Sequence, residues 1–294
     1  MPAELIDGKA LAARTLAGVA GRVERLKADG HRPPCIATVL VGEDPASHAY
    51  VRMKVNRARN VGMEPRRHDL PSDIDTAALV EVIEGLSADD GVDGILLQHP
   101  VPRHVDERAA FEAIDVAKDV DGVTHRSFAS MAFGEAGFAS ATPGGILRLL
   151  DEYDVPLRGT ETVVVGQGPI LGRPLSVLLL ARDATVTMCH VHTRDLAEHV
   201  ARADLVVAAV GLPGLVRGEW IKEGAVVIDA GYSPGGIGDV EFEAAAERAR
   251  LITPVPGGVG PMTVAVLLEQ TVRAAERRFG YDEEAAPVGA ASSS

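Results

Sequence analysis

The stretch VGEDPASHAYVRMK, Val41 to Lys54, predicts the transition from a strand to a helix on which the rest of the predicted fold depends. It follows an apolar run, Ile36 to Val41, that predicts a buried strand, and its Pro-Ala-Ser is typical of the turn into a helix with Ser47 as the N-cap. On that helix Tyr50 and Lys54 are four residues apart and share one face. We therefore expect an aromatic ring and an amine together at the end of a strand. A surface i,i+4 pair is the alternative, and this segment alone leaves it open.

Strand and helix patterns alternate on both sides of this stretch. An opening helix is predicted within 5–27, strands at 36–41, 65–70 and 94–97, and helices at about 47–60 and 76–86. Such alternation predicts a parallel sheet with helices on its faces. Ligands of open parallel sheets bind at the carboxyl ends of the strands, so the segments 42–54 and 98–102 are candidates for the site.

Two polar features lie near that edge of the sheet. Gln98 ends the apolar run Gly94 to Leu97, where an amide needs a hydrogen-bond partner or a ligand. The segment KDVDG, Lys118 to Gly122, is predicted to be a linker that faces the cleft. Without further context, Asp119 and Asp121 are interpreted as solvated turn residues.

The second half of the chain repeats the alternation around a glycine turn. A helix at about 144–153 is followed by the strand ETVVVG, the turn GQGPILGRP and an apolar helix at 175–181. Gly166, Gly168 and Gly172 give GxGxxxG, which is one residue longer than the usual dinucleotide fingerprint but stands correctly between strand and helix. Three more strands, at 185–188, 205–210 and 225–229, complete a Rossmann-like half and predict a nucleotide site.

A rigid loop, LITPVPGGVGPMT from Leu251 to Thr263, precedes the last helix at about 263–279. We expect that helix to pack back on the first domain. The domains are predicted at 1–140 together with 264–280, and at 141–263. The residues 281–294 contain too little apolar surface to order themselves and are predicted to be a disordered tail.

Composition and charge narrow the class of function. A chain of 294 residues with 46% hydrophobic residues is typical of a two-domain soluble protein. The net charge of −13 argues against nucleic-acid or anionic-membrane binding and favours a small-molecule partner. Cys35 and Cys189 both lie in apolar runs, so a reducing cytoplasm is expected. No apolar run approaches the roughly 20 residues needed to cross a bilayer.

Five segments resemble the methylenetetrahydrofolate dehydrogenase/cyclohydrolase family, in the family's order and at its separations. They are VGEDPASHAYVRMK, the segment 98–102, KDVDG, the glycine turn and TPVPGGVGPMT, within a match from about residue 3 to 279. The resemblance implies a homodimer of two-domain α/β subunits, each with an N-terminal folate-binding catalytic domain and a C-terminal Rossmann-like domain for NADP. It also implies oxidation of methylenetetrahydrofolate to methenyltetrahydrofolate, and hydrolysis of that product to formyltetrahydrofolate, in one-carbon metabolism.

The resemblance assigns roles to individual residues. Lys54 matches the essential lysine, Tyr50 the tyrosine that stacks beside the folate, Gln98 the glutamine that orients the lysine, and Asp121 the aspartate that holds the pterin. It places Gly258 and Pro261 at the substrate. At the cofactor it places Thr142, Gly166, Gln167, Gly168, Gly172, Val191 and Tyr232.

Two departures from the family concern the choice of cofactor. Gln167 and Gly168 stand where the family usually has Arg-Ser, and Val191 replaces a serine that is common after the second strand. Those arginine and serine side chains recognise the 2′-phosphate, so their loss should weaken the preference for NADP by a few kcal/mol. No Asp or Glu ends that strand to hold a bare ribose, and Arg173, His190, His192 or Arg194 are alternatives for reaching a phosphate. We therefore hypothesise relaxed or NAD-leaning specificity.

Other departures affect the cleft and its surroundings. Ser140-Ala141 replaces the family's usual Pro-Cys, and Val123-Thr124-His125 replaces Phe-His-Pro, which changes the expected folate pose. His190 and His192 alternate along a predicted strand end. They are expected on opposite faces, exposed, and without a shared metal.

Three alternatives remain open at this point. The first is a dehydrogenase with little cyclohydrolase activity, because the altered cleft misplaces water. The second is a noncatalytic Rossmann-type nucleotide-binding regulator, against which the presence of all four folate-side residues argues. The third is an enzyme like shikimate dehydrogenase, which shares the architecture and a cleft lysine but lacks TPVPGGVGPMT.

Overall fold

The computed structural model describes residues 2–281, and every strand pairing within that range is parallel. Two sheets form the frame of the molecule. Their strands are β1 (Glu4–Leu5), β2 (Cys35–Val41), β3 (Glu64–Leu70), β4 (Gly94–Leu97), β5 (Glu161–Val165), β6 (Thr185–Cys189), β7 (Leu205–Ala208), β8 (Val226–Asp229) and β9 (Leu251–Ile252).

Helices cover both sheets, as the alternation predicted. They are α1 (Gly8–Ala28), α2 (Pro45–Asn60), α3 (Thr76–Ala88), α4 (Glu107–Glu112), α5 (His125–Phe133), α6 (Ala141–Glu152), α7 (Gly172–Leu180), α8 (Leu196–Arg202), α9 (Phe242–Ala246) and α10 (Val259–Phe279).

The first sheet has the order β3-β2-β4, with β2 in the centre. All seven residues of β2 are buried, as expected of a parallel strand covered on both faces. The backbone N–H of Gln98 donates to Val39 O at 2.8 Å and continues the β4 ladder by one residue. The carboxyl ends of β2 and β4 therefore lie side by side, with Gly42 and Gln98 at the same edge.

The second sheet has the order β1-β9-β8-β7-β5-β6 and includes the predicted Rossmann-like strands. The two outer strands β1 and β9 were not predicted, because two residues show no periodicity. Glu4 pairs with Leu251, so the start of the chain lies in the second sheet. The domain boundaries given above stay a prediction.

The last helix packs on the first domain, as predicted. α10 lies against α1 and α6, and ion pairs join the three helices. Arg22 of α1 donates from Nε to Glu276 Oε1 at 3.0 Å, and Arg148 of α6 pairs with Glu269. The buried side of α10 is almost continuously apolar, so burial rather than these partly exposed ion pairs provides most of the attachment.

Several helices begin earlier than the sequence suggested. The prediction of Ser47 as the N-cap of α2 is wrong: α2 begins at Pro45, and the Asp44 carboxylate accepts the Ser47 N–H at 2.8 Å. α10 begins at Val259, so the second half of the predicted rigid loop is helical. Pro45 and Pro261 both stand in a first helical turn, where a proline has no intrahelical hydrogen bond to lose.

No helix within the described part of the chain is long and apolar enough to cross a bilayer. Of the predicted tail, only Tyr281 lies within the described residues, where its hydroxyl donates to Asp29 Oδ2 at 2.8 Å. The rest of the tail, 282–294, lies outside them.

Candidate active site

The Lys54 side chain is the centre of the site on the first domain. Only 7% of the residue is exposed, so the surface-pair alternative is wrong. Its Nζ donates to Gln98 Oε1 at 3.1 Å and lies 4.4 Å from the centroid of the Tyr50 ring. The helical spacing of four residues thus brings the ring and the amine together, as predicted, but in a desolvated position.

The amide of Gln98 is fixed by hydrogen bonds on both sides. Its Nε2 donates to the carbonyl oxygen of His99 at 2.7 Å, which leaves Oε1 to face Lys54. The opposite amide orientation would place two donors, Nε2 and Nζ, against each other. The glutamine satisfies the expectation that a polar side chain ending this apolar run finds partners.

Burial changes the proton affinities of the site. The pKa of Lys54 falls from 10.5 to about 8 because burial disfavours the ammonium, and the nearby Asp121 carboxylate opposes this fall. Burial, with a smaller contribution from Asp121, raises the pKa of Tyr50 to about 12. The pKa of Asp121 itself is raised by burial, against the attraction of Lys54 and His99. Lys54, Tyr50 and Asp121 therefore form one electrostatic group.

The loop that carries Asp121 is anchored by its neighbour Asp119. The interpretation of Asp119 as a solvated turn residue is wrong, because it is fully buried. Its carboxylate accepts the N–H groups of Val123 and Thr124 at 3.0 and 2.9 Å and the hydroxyl of Ser127 at 2.5 Å. Three hydrogen bonds offset the cost of burying this charge and fix the turn after Asp121.

Gln270 of α10 holds the same loop from the other side. Its Nε2 donates to the carbonyl oxygens of Val120 at 2.7 Å and Ala139 at 3.0 Å, and its Oε1 accepts the Ala139 N–H at 3.1 Å. Ser140, one of the departures from the family, donates its hydroxyl to Gly122 O at 2.7 Å. The loop before Asp121, the segment before α6 and the last helix are thereby joined.

Gln270, Ser140 and the anchoring role of Asp119 were missed by the sequence reasoning. Gln270 carried one usable signal, since it is a polar residue on the buried face of an otherwise apolar helix. No sequence signal indicated the anchoring role of Asp119, because a buried and a solvated aspartate in the segment KDVDG look alike in sequence.

The glycine turn follows β5 and leads into the N-terminus of α7. A Cβ at Gly166 would lie 2.1 Å from Ala209 O, and one at Gly172 would lie 2.0 Å from Gly166 O, so both positions require glycine. A Cβ at Gly168 would meet no atom within 4 Å, and this residue is exposed in front of α7. The backbone there is open to a ligand beside a helix N-terminus.

The glycine turn also reaches the first domain. Ile170 packs against the apolar cluster that includes Val41 and Leu97, the last residues of β2 and β4. The candidate cofactor turn and the strand ends that lead to the Lys54 site therefore adjoin one another. Gln167, at the exposed tip of the turn, contributes no side-chain hydrogen bond within the described residues.

The other predicted cofactor residues lie at scattered places. Val191 and Tyr232 are each 71% exposed, on the turns after β6 and β8. Thr142 stands in the first turn of α6, where its hydroxyl lies 3.0 Å from that of Thr263 on α10. The structure thus brings Lys54, Tyr50, Gln98 and Asp121 together, while Thr142 is engaged with the last helix.

His190 and His192 do not alternate on a strand, because β6 ends at Cys189. Both lie in the following turn, where the His192 N–H donates to His190 Nδ1 at 3.1 Å and the ring centroids are 6.0 Å apart. The prediction of opposite faces is wrong. Within residues 2–281 no group of three or more candidate ligands could hold a metal ion.

Gly258 and Pro261, the predicted substrate contacts, adjoin α1. A Cβ at Gly8 would lie 1.8 Å from Gly258 O, so α1 begins directly against this loop. Pro261 is half-buried and faces a groove between α1 and α2.

Two family profiles match the chain. The profile for the tetrahydrofolate dehydrogenase/cyclohydrolase catalytic domain matches residues 6–121, and the profile for its NAD(P)-binding domain matches residues 140–279. The chain belongs to this family. The bifunctional protein FolD 1 of Salinispora arenicola is 65% identical over 277 residues, which are 94% of this chain and 99% of that protein.

Solved structures agree with this assignment to the tetrahydrofolate dehydrogenase/cyclohydrolase family. The FolD methylenetetrahydrofolate dehydrogenase/cyclohydrolase of Campylobacter jejuni is 40% identical with a TM-score of 0.91, over 94% of this chain and 99% of that one. The Trypanosoma brucei enzyme, solved with NADP and an inhibitor, is 36% identical with a TM-score of 0.90, over 95% and 99%.

Membership of the tetrahydrofolate dehydrogenase/cyclohydrolase family confirms the predicted fold class and enzyme. The protein is a bifunctional methylenetetrahydrofolate dehydrogenase and methenyltetrahydrofolate cyclohydrolase of one-carbon metabolism with an NAD(P)-binding domain. The noncatalytic regulator and the shikimate-dehydrogenase alternative are set aside.

Proposed function

We propose that Lys54 is the proton-transfer group of the cyclohydrolase reaction, on a folate platform formed by Tyr50, Gln98 and Asp121. The observation that carries this assignment is a buried amine with a pKa of about 8, held at 3.1 Å by a neutral amide. Such an amine exchanges a proton near neutral pH, whereas a solvated lysine does not.

Each of these side chains has a separate task. The Tyr50 ring packs against the aminobenzoyl group of the substrate. The Asp121 carboxylate accepts hydrogen bonds from the N–H groups of the pterin. Gln98 fixes the direction of the Lys54 amine without adding a charge. This platform places the one-carbon bridge of methylenetetrahydrofolate at the edge that adjoins the glycine turn.

The hydrolytic reaction needs a neutral amine. At pH 7, one unit below its pKa, about a tenth of Lys54 is neutral, and a cationic methenyl substrate beside it increases that fraction. Neutral Lys54 accepts a proton from water as its oxygen adds to the methenyl carbon. The resulting ammonium then returns the proton to the ring nitrogen that leaves that carbon. As the carbonyl forms, the hydroxyl of the adduct gives its proton to the neutral amine, which releases it to solvent, so the products are formyltetrahydrofolate and one proton.

Residues of the second domain are assigned to the dinucleotide. Gly166, Gly168 and Gly172 hold its pyrophosphate at the N-terminus of α7, while Gln167, Val191 and Tyr232 line its outer parts and Thr142 its cleft side. The bound nicotinamide supplies the hydride-accepting ring for the dehydrogenase reaction.

The cofactor choice is proposed to be relaxed or to lean toward NAD, within an enzyme family whose usual cofactor is taken to be NADP. Gln167 and Val191 offer no positive charge and no hydroxyl to a 2′-phosphate, and β6 does not end in an Asp or Glu that could hold a bare ribose. Arg173, His190, His192 and Arg194 lie nearby along the chain and remain the candidates for a phosphate. Measured kcat/KM values with each dinucleotide test this, and a clear preference for NADP overturns it.

Lys54→Met tests the catalytic assignment. We expect the variant to retain folate binding and to lose cyclohydrolase activity, followed as the decay of methenyl absorbance separately from nicotinamide reduction. Gln98→Asn, which shortens the orienting side chain, should lower the same activity less severely. Cyclohydrolysis by Lys54→Met at the wild-type rate would refute the assignment.

We also propose that the protein is a cytoplasmic homodimer that binds no nucleic acid and no membrane. The family resemblance and the acidic net charge support this. Sedimentation of the purified protein at micromolar concentration tests the dimer, and a monomer at all concentrations would contradict it.

A further inference from the structure

Two buried carboxylates lie behind the turns that follow β7 and β8. Asp229 is the last residue of β8, and Asp239 lies in the segment between β8 and α9. Asp239 is fully buried, and only 3% of Asp229 is exposed. In the part of the chain that the structure describes, both side chains accept hydrogen bonds from backbone N–H groups alone. Burying two charges of the same sign costs free energy, so this pair is better explained by function than by stability.

Asp239 holds the turn after β7, which we call the β7 turn and which comprises residues 209–211. Its Oδ2 accepts the N–H groups of Val210 and Gly211 at 2.6 and 2.9 Å. Gly211 is exposed, whereas the carboxylate behind it is buried. One carboxylate oxygen therefore fixes two successive N–H groups of a surface turn through charge-assisted hydrogen bonds.

The β7 turn adjoins the glycine turn. A Cβ at Gly166 would lie 2.1 Å from Ala209 O, so the backbones of the two turns are in direct contact. The Ala209 N–H donates to Val165 O at 2.8 Å and continues the pairing of β7 with β5. A shift of the β7 turn would therefore displace the backbone that is assigned above to the pyrophosphate.

Asp229 fixes the main chain on either side of Asp239. Its Oδ1 accepts the Asp239 N–H at 3.0 Å, and its Oδ2 accepts the Val240 N–H at 2.9 Å. The same Oδ1 accepts the Gly231 N–H at 2.9 Å, at the start of the turn that carries Tyr232. Burial raises the pKa of Asp229, and the charge of the neighbouring Asp239 adds to this rise. The two carboxylates thus join the turns after β7 and β8.

The other oxygen of Asp239 shows that this arrangement is costly. Oδ1 is buried and has no hydrogen-bond partner within residues 2–281. A Cβ at Gly231 would lie 2.3 Å from this oxygen, so the carboxylate fits only because residue 231 is a glycine. An orphaned buried oxygen destabilises a fold, which again favours a functional reason for an aspartate at this position.

We propose that Asp239, held in place by Asp229, is a positioning residue for the dinucleotide. It fixes the β7 turn against the glycine turn, so the backbone that binds the pyrophosphate has its binding shape before the cofactor arrives. The carboxylate acts through the backbone and does not touch the cofactor. This inference rests on the proposed assignment of Gly166, Gly168 and Gly172 to the pyrophosphate.

Asp239→Asn tests the inference with little change of shape. Asparagine keeps one acceptor oxygen for the β7 turn but removes the charge, which weakens both hydrogen bonds. We expect the Kd values of NADH and NADPH, measured by fluorescence titration of the purified protein without folate, to rise about threefold to tenfold. Such a rise corresponds to a turn that keeps its binding shape in roughly a tenth to a third of the molecules. Asp239→Ala removes both acceptors and should raise the two Kd values further.

Two readouts distinguish positioning of the cofactor from a general effect on folding. The cyclohydrolase reaction needs no dinucleotide, and its proposed groups lie on the first domain, so its rate in Asp239→Asn should stay close to that of the wild type. The ratio of the NADH and NADPH Kd values should also stay the same, because the two cofactors share the pyrophosphate.

Asp204→Asn is the matched control. Asp204 lies in the same domain at the opposite end of β7, where its carboxylate accepts the Glu161 N–H at 3.2 Å. The substitution therefore changes a carboxylate that also holds backbone, but at the edge of the sheet away from the glycine turn. It should leave the Kd of both dinucleotides at the wild-type value.

The outcomes separate this inference from the assignment on which it rests. Wild-type Kd values in Asp239→Asn overturn the positioning role. A loss of cyclohydrolase activity in the same proportion as dinucleotide affinity also overturns it, because that result shows a general structural role. If Asp239→Ala does not fold, Asp239→Asn decides alone. Wild-type protein that binds neither NADH nor NADPH overturns the assignment of the glycine turn itself.

Discussion

Replacing Lys54 by Met should make the protein more stable at neutral pH and less stable in alkali, relative to wild type. The buried ammonium is the physical reason. A fall of the Lys54 pKa from 10.5 to about 8 means that the folded state disfavours the charged form. Below pH 8 the unfolded chain binds this proton more tightly than the folded protein does, which lowers the free energy of unfolding by about 3 kcal/mol.

Methionine has nearly the same length and no charge, so it removes that cost. It also removes the hydrogen bond to Gln98 and the contact with the Tyr50 ring, together worth about 2 kcal/mol. The net gain at pH 7 is therefore about 1 kcal/mol. Between pH 8 and 10.5 wild-type stability rises because folded Lys54 loses its proton while the unfolded chain still binds it, and at pH 9.5 less than half of the cost remains.

The difference in the free energy of unfolding between Lys54→Met and the wild type should accordingly change by about 2 kcal/mol between pH 7 and pH 9.5. Its sign should also change. Urea unfolding of both proteins at the two pH values measures it. Lys222→Met, which removes an exposed lysine paired with Asp204, controls for the loss of one positive charge. An equal difference at both pH values would show that Lys54 is not desolvated in the folded protein.

Three further substitutions test other parts of the site. Gln98→Glu places a carboxylate beside Lys54 and should raise its pKa by about one unit or more, which moves the alkaline rise of cyclohydrolase activity upward by the same amount in a pH–rate profile. Gln270→Leu leaves three backbone groups without partners and should lower the free energy of unfolding by about 2–4 kcal/mol in urea, with a higher KM for folate because the loop before Asp121 loses its attachment. Gln167→Arg combined with Val191→Ser should increase kcat/KM for NADP relative to NAD about tenfold or more, and an unchanged ratio would mean that the 2′-phosphate lies elsewhere.

Local patterns were sufficient for the parts of the fold that depend on local chemistry. The apolar runs of β2 and β4 predicted buried parallel strands, and the spacing of Tyr50 and Lys54 predicted their shared face. Gln98 at the end of an apolar run predicted a polar partner, and the partner is Lys54.

The missed features depend on contacts between residues far apart in the chain. β1 and β9 are two residues each, and both depend on distant partners: β1 pairs with β9, and β9 also pairs with β8. The side chain of Gln270 is defined by Val120 and Ala139, more than a hundred positions earlier. No window of sequence contains both partners, so periodicity and propensity cannot reveal them.

The start of the chain pairs in the second sheet, whereas the last helix packs on the first domain. This arrangement affects how the protein folds during its synthesis. During synthesis, Glu4 of β1 cannot pair until Leu251 has been made, and α1 cannot pack until α10 has been made. The first helix therefore has no complete partner surface until nearly all of the chain exists. At a translation rate of about 5–20 residues per second, that interval is roughly 12 s or longer. The N-terminal half should therefore leave the ribosome incompletely packed and dependent on protection from aggregation, and neither domain can be released intact by a single proteolytic cut.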